Sequence, residues 1–162
     1  MSVRRLTRSV CLLGVAVLAA PLATEAYAEK VGEIGVDWAG NDIVIEAIPD
    51  PEVSGVTCHL AYFERGIIDR LANGNWFEDP SNSAIECQRT GPITIGNIDR
   101  SEDGEDVFRA SRSIIFKTLR VKRIYDEANH TLIYVAHGRE LTQGSAKVSI
   151  STVPVGDAVE RR

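Results

Sequence analysis

The sequence predicts a mainly β fold, a single-domain β-sandwich or partly closed β-barrel with one short helical segment. Apolar and polar residues alternate in several short runs, and turn signals recur roughly every eight to twelve residues. Helical periodicity is scarce, and no internal repeat is present. Many short strands separated by Gly, Pro, Asn and Asp are the pattern of sandwiches and barrels.

Ahead of the strands stands a leader, "MSVRRLTRSVCLLGVAVLAAPLATEAYAEK". Arg4, Arg5 and Arg8 give a positive start, Val10 to Ala20 an apolar run, and Ala26-Tyr27-Ala28 the small-x-small pattern of a cleavage site. That order predicts a signal peptide over residues 1–28. The run of eleven residues would reach only about 16 Å as helix, where a bilayer core needs about twenty residues. Thr7 and Arg8 occupy positions where a twin-arginine signal wants apolar residues. Cys11 opens the apolar run instead of following it, as a lipoprotein cysteine would. The expectation is therefore ordinary export (Sec) to the periplasm, with no transmembrane segment after cleavage. The β-rich domain then covers residues 29–155, and "GDAVERR", residues 156–162, reads as a flexible, frayed tail.

The first strands come from "GEIGVDWAGNDIVIEAIPDP", a hairpin turning at Ala39-Gly40-Asn41 and ended by Pro49 and Pro51. "GVTCHLAYF" follows, with Val56, Cys58, Leu60 and Tyr62 on one side and Thr57, His59, Ala61 and Phe63 on the other. Ile67, Ile68 and Leu71 suggest one or two helical turns stopped at Gly74, and "NGNWFEDPSN" is loop. "SAIECQRT" returns as a strand that Gly91-Pro92 should terminate, and "PITIGNI" reads as a separate short run. "DRSEDGED" is an acidic, solvated loop. "VFRASRSIIFKTLRVKRIYD" is long and β-rich, with Arg123 breaking the alternation, which suggests a bulge. "DEANH" is a turn, "TLIYVAHG" its returning strand, and "AKVSISTVPV" the last strand.

Removal of the leader takes out Cys11 and leaves Cys58 and Cys87, which allow one intramolecular pairing. In an oxidising compartment a structural disulfide is the leading reading. A redox-active pair would rather be Cys-x-x-Cys at a helix start. A metal site is disfavoured, because His59 adjoins Cys58 on a strand and neighbouring side chains there point to opposite faces.

The string is also familiar. "DPEVSGVTCHLAYFERGII", "AIECQRTGPI", "SIIFKTLRVKRIYD" with "LIYVAHG", and "GSAKVSISTVPV" resemble the CreA family of exported bacterial proteins, in order and from about Val31 to Val155. The resemblance implies a periplasmic protein of a diderm bacterium, with both cysteines where the family carries its pair, and it implies no activity. The chain departs from the family's glycine-rich stretch after the first cysteine strand, having only Gly66 and Gly74 around "IIDRLAN". The tail after Val155 looks particular to this chain.

Net charge is −5, and −7 once residues 1–28 are removed. An acidic chain argues against nucleic acid, whose affinity comes from cationic contacts to phosphate. Against that background Arg109, Arg112, Lys117, Arg120, Lys122 and Arg123 form a basic run. Arg120 and Lys122 would project on one side of a strand as an anion-binding stripe, facing an anionic envelope component such as lipid headgroups, polysaccharide or an acidic protein. The plainer reading is that the run neutralises the acidic loop Asp99 to Asp106. Glu78, Asp79 and Glu86 near Trp76 offer a paired-carboxylate site for glycan hydrolysis. No Gly-x-Ser-x-Gly elbow is present. His130 and His137, with Asp126 or Glu127, are the best remaining ligand set, and no metal or cofactor is expected. Asn129-His130-Thr131 matches a glycosylation sequon and reads as a turn. The functional expectation is a non-enzymatic binding or envelope-support domain. A glycan hydrolase using Glu78, Asp79 or Glu86 and a thiol switch using Cys58 and Cys87 are the alternatives.

Overall fold

The computed structural model describes residues 27–38, 41–66, 71–72, 74, 83–108, 114–139 and 147–161. Among these, two sheets face each other and no closed barrel forms. β1 (Glu29–Gly35) and β2 (Asp42–Pro49) make the expected hairpin, closed by the Val36 amide on the Asn41 carbonyl at 3.1 Å. β3 (Val53–Glu64) and β4 (Ala84–Ile95) extend that sheet. In the second sheet, β5 (Glu105–Val107), β6 (Leu119–Asp126), β7 (Thr131–Gly138) and β8 (Val148–Pro154) run in sequence order. β9 (Val159–Glu160) returns to the first sheet beside β4.

The core lies between the sheets because each strand buries alternate residues. Val44 and Ile48 of β2, Val56, Cys58, Leu60 and Tyr62 of β3, and Ile85 of β4 face Leu119, Val121, Leu132, Tyr134 and Val153. Along one side the sheets meet at β4 and β8, and hydroxyls there take the place of ladder partners. Ser149 Oγ accepts from the Ile85 amide at 3.0 Å, and Ser151 Oγ accepts from the Cys87 amide at 2.7 Å.

Several expectations need correction. Gly91-Pro92 does not end its strand, since β4 runs through to Ile95. The ladder to β3 jumps from Ser54–Thr94 to Val56–Arg89, so Thr90 to Ile93 stand opposite Gly55 alone. In that bulge the missing proline N–H leaves no broken ladder bond. Gly55 has φ +82°, and a Cβ on it would run into the Pro92 carbonyl, so glycine is needed there. The basic run carries no bulge at Arg123 either. β6 pairs with β7 without a register shift from Leu119 to Asp126, and Arg123 takes a core-facing position. The stretch expected to be long and β-rich contains a 3-10 turn, Ile114–Lys117. The tail expected to fray is docked: β9 pairs in parallel with β4, and the Arg161 amide donates to the Ile95 carbonyl at 2.8 Å. Asp157 pairs with Arg89 and Glu160 with Arg100, both at 2.7 Å. Of the helical segment expected around Ile67 to Leu71, Leu71 and Ala72 are described, and they are helical. Gly74 follows with φ +64°, as a helix stop requires.

Candidate functional site

Two polar clusters arise where the second sheet meets its surroundings. The first is buried. Asp50 follows β2, and its Oδ1 accepts the Glu52 and Val53 amides, each at 2.8 Å, fixing the corner into β3. Its Oδ2 accepts the Tyr134 hydroxyl at 2.6 Å. The Arg123 guanidinium pairs with Asp50 and with Glu105. The Arg123 and Asp50 side chains are 1% and 0% exposed, so the ion pair lies inside the core. Burial alone would disfavour the Arg123 charge, but Asp50 and Glu105 outweigh it and hold its pKa above the ordinary value. Burial, then the Asp50 charge, push the Tyr134 hydroxyl far above the usual tyrosine range. Arg123 therefore keeps its proton and Tyr134 keeps its own, so neither serves as a proton shuttle at physiological pH. The group fastens the β2–β3 corner of one sheet to β6 and β7 of the other.

The second cluster is open. A cleft of about 260 Å³ at the rim of the second sheet is lined by Asp106, Val107, Phe116, Leu119, Arg120 and Arg139. It lies where β5 has ended and the 3-10 turn delivers the chain into β6. Phe108, next to Val107, has φ +62°, a left-handed conformation that is costly for a bulky residue. Its ring is buried and packs against that of Phe116 with centroids 6.2 Å apart, which holds the turn in place. Backbone strain is thus stored beside the cleft.

Arg120 donates to Asp106 through one terminal nitrogen, and the Asp106 side chain is only 8% exposed. Arg139 Nη1 donates to the Lys117 carbonyl at 3.2 Å, and among the described residues it has no carboxylate partner. Lys122 projects on the same outward side of β6 as Arg120, with Nζ donating to the Asp103 carbonyl at 2.8 Å. Among the described residues the basic strand and the acidic loop thus touch at three places: Arg120–Asp106, Arg123–Glu105 and, through a backbone carbonyl, Lys122–Asp103. Arg109 and Arg112 lie outside the described residues.

Of the other predicted chemistry, only part falls on described residues. Trp76, Glu78 and Asp79 lie outside the described residues, and Glu86 is exposed on β4 directly opposite His59. His130 precedes β7 while His137 is near its far end, about 23 Å along an extended strand, so they do not share an ion. Among the described residues no group of three His, Cys, Asp or Glu is placed to hold a metal. No helix among them is long and apolar enough to cross a membrane. Cys58 and Cys87 are joined, on directly opposed positions of β3 and β4, and both are buried. Asp50, Tyr134 and Arg139 drew no attention in the sequence. Arg123 had a signal, because it continues the Leu119–Val121 phase, and a cation on a buried phase demands a buried anion.

The family model described as CreA protein matches residues 31–158. "Protein CreA" of Escherichia coli strain K12 is 38% identical over 136 residues, spanning 80% of this chain and 85% of its own. The proteins of that name from Escherichia coli O6:H1 and O157:H7 match to the same extent. No solved structure gives a significant match. The matched region takes in strands β2 to β8, the Asp50–Arg123 pair, both cysteines and every residue of the cleft, and the chain belongs to the CreA family.

Proposed function

We propose that this is an exported periplasmic domain that binds an anionic component of the envelope and catalyses no reaction on it. The observation that carries the reading is the rim cleft, whose lining includes both Arg120 and Arg139. Lys122 adds a third cation on the same side of β6. Asp50, Glu105 and Asp106 are each held by an arginine, so they serve as counter-ions rather than as acids or bases poised for proton transfer. Burial of both sulfurs favours a staple over a thiol switch, because an attacking thiolate needs access to one of them. The leader of residues 1–28 supports export, and β1 begins at Glu29, the residue that follows the expected cleavage site.

Two measurements test this. The periplasmic fraction should hold a protein whose first residue is Glu29 by intact mass, whereas an uncleaved cytoplasmic chain would refute export. In a heteronuclear NMR titration with carboxylates, inorganic phosphate and vesicles of anionic lipid, at least one probe should shift the amides around Arg120 and Arg139. A cleft silent to every anion would end the binding proposal.

A further inference from the structure

Resting on the anion-binding reading and extending it to a second surface, we infer that the outer face of the second sheet docks on a bilayer rich in anionic phospholipid. β6, β7 and β8 turn alternate residues to the core, and in a sandwich the opposite set is ordinarily polar. Much of this set is aliphatic. Register places Ile150 opposite Val135, and Val135 opposite Lys122. The row on one side of it runs Val148, His137, Arg120, and the row on the other runs Thr152, Ile133, Ile124. Val148 and Ile150 are 66% and 62% exposed, so neither belongs to the core. The face is therefore apolar along β8 and the middle of β7, and cationic along the first half of β6.

That division fits a membrane interface. Neighbouring strands lie about 4.8 Å apart, which puts the β6 cations roughly 10 Å from Ile150 across the face. An interfacial element buries its apolar side by about 5–10 Å and keeps Lys and Arg among the headgroups. A sheet tilted with β8 toward the bilayer meets both demands. Lys147, exposed one residue before Val148, lets the apolar side carry a cation that snorkels to the phosphates. Asp126 is the one carboxylate among the outward residues of these three strands, and it lies at the far end of β6, opposite Thr131. None of those residues is aromatic, the anchor that protein partners favour, and a fluid bilayer requires none. Arg120 also lines the cleft, so the two surfaces adjoin.

The test is co-flotation of the purified, disulfide-bonded protein with vesicles. Binding to equal parts phosphatidylglycerol and phosphatidylcholine should exceed binding to phosphatidylcholine alone by at least about tenfold. The double variant Val148→Ser/Ile150→Ser should weaken binding about tenfold, and Lys122→Gln about fivefold. Val31→Ser, at a side chain 52% exposed on the first sheet, should change nothing. Unchanged urea midpoints would show that these surface variants keep the fold. Equal binding to both vesicles, or a Val31→Ser loss as large as that of the double variant, would overturn the proposal. If soluble anions shift the cleft amides while no vesicle binds, the lipid surface falls and anion binding stands. Polyglutamate held at this face in place of vesicles would assign it to an acidic protein and overturn the lipid. Silence toward vesicles and every soluble anion would end both readings.

Discussion

Removing the buried arginine with Arg123→Met should be the most damaging single change to stability. Methionine fills much of the same volume, so the cost comes from what is left behind: the Asp50 carboxylate, 0% exposed, without its counter-charge. Breaking a buried pair by removing one partner costs about 3–5 kcal/mol, a large part of the 5–15 kcal/mol that holds a typical domain. With a urea dependence of roughly 2 kcal/mol per molar for a domain of this size, the midpoint should fall by about 2 M. Circular dichroism across a urea series reads it directly. A second variant separates charge from packing. In Asp50→Asn/Arg123→Met/Tyr134→Phe the charge is gone, while the introduced side-chain amide oxygen still accepts the Glu52 and Val53 amides in place of Asp50 Oδ1. That triple variant should recover at least half of the lost midpoint. A shift below about 0.5 M in the single variant, or a triple variant no better than the single, would refute the account of a paired charge in the core.

The disulfide closes a loop of 29 residues' separation, for which the chain-entropy model gives about 3–4 kcal/mol. Reduction with dithiothreitol should therefore be slow in native buffer and immediate in urea, measured by thiol titration, and fast native reduction would contradict the burial. Gly55→Ala should lower stability by on the order of 2 kcal/mol, from a positive φ and a clash with the Pro92 carbonyl, with urea midpoints as the measure. The Asp157 carboxyl is held below the ordinary aspartate range by its hydrogen bonds from Arg89, then by that arginine's charge. Its contribution is present above the ordinary aspartate pKa and lost as pH falls through the depressed one, so acid should release the Asp157–Arg89 tie on the tail. Carboxyl NMR should show the Asp157 midpoint moving upward in Arg89→Gln.

Much of the fold was legible because strands write their burial into the sequence with period two. The β1–β2 hairpin, the Val56-Cys58-Leu60-Tyr62 face and the Asp126 to His130 turn all follow from local rules. The misreadings share a cause: a local signal was overruled by a partner distant in sequence. Gly91-Pro92 is a terminator by propensity, yet it lies within a strand because Gly55 bulges opposite it. Arg123 breaks a hydrophobic alternation by composition, yet it keeps the phase because Asp50, 73 residues away, neutralises it. The polar tail finds order through Arg89 and Arg100, 68 and 60 residues from their partners. For the site, Arg120 was visible as part of a basic run, but Arg139 stands alone in sequence and joins it only once β6 and the end of β7 are neighbours.

Where the fastenings fall also explains why a cleft should sit at this rim. The disulfide ties β3 to β4 within one sheet, so it restrains the unfolded chain more than the spacing between sheets. Among the described residues the sheets themselves are joined by Asp50 with Arg123 and Tyr134, by the hydroxyls of Ser149 and Ser151 on the β4 amides, and by Arg100 between Glu127 and Glu160. Glu105 pairs with Arg123 and so pins the start of β5 to the buried bolt. Three residues later the strand has ended and the chain turns away at Phe108. The β5–β6 side of the cleft is therefore tied to the core, and Arg120 and Arg139 are among the residues that line it. A site held this way loses little conformational freedom when a ligand enters, because its walls were ordered when the protein folded.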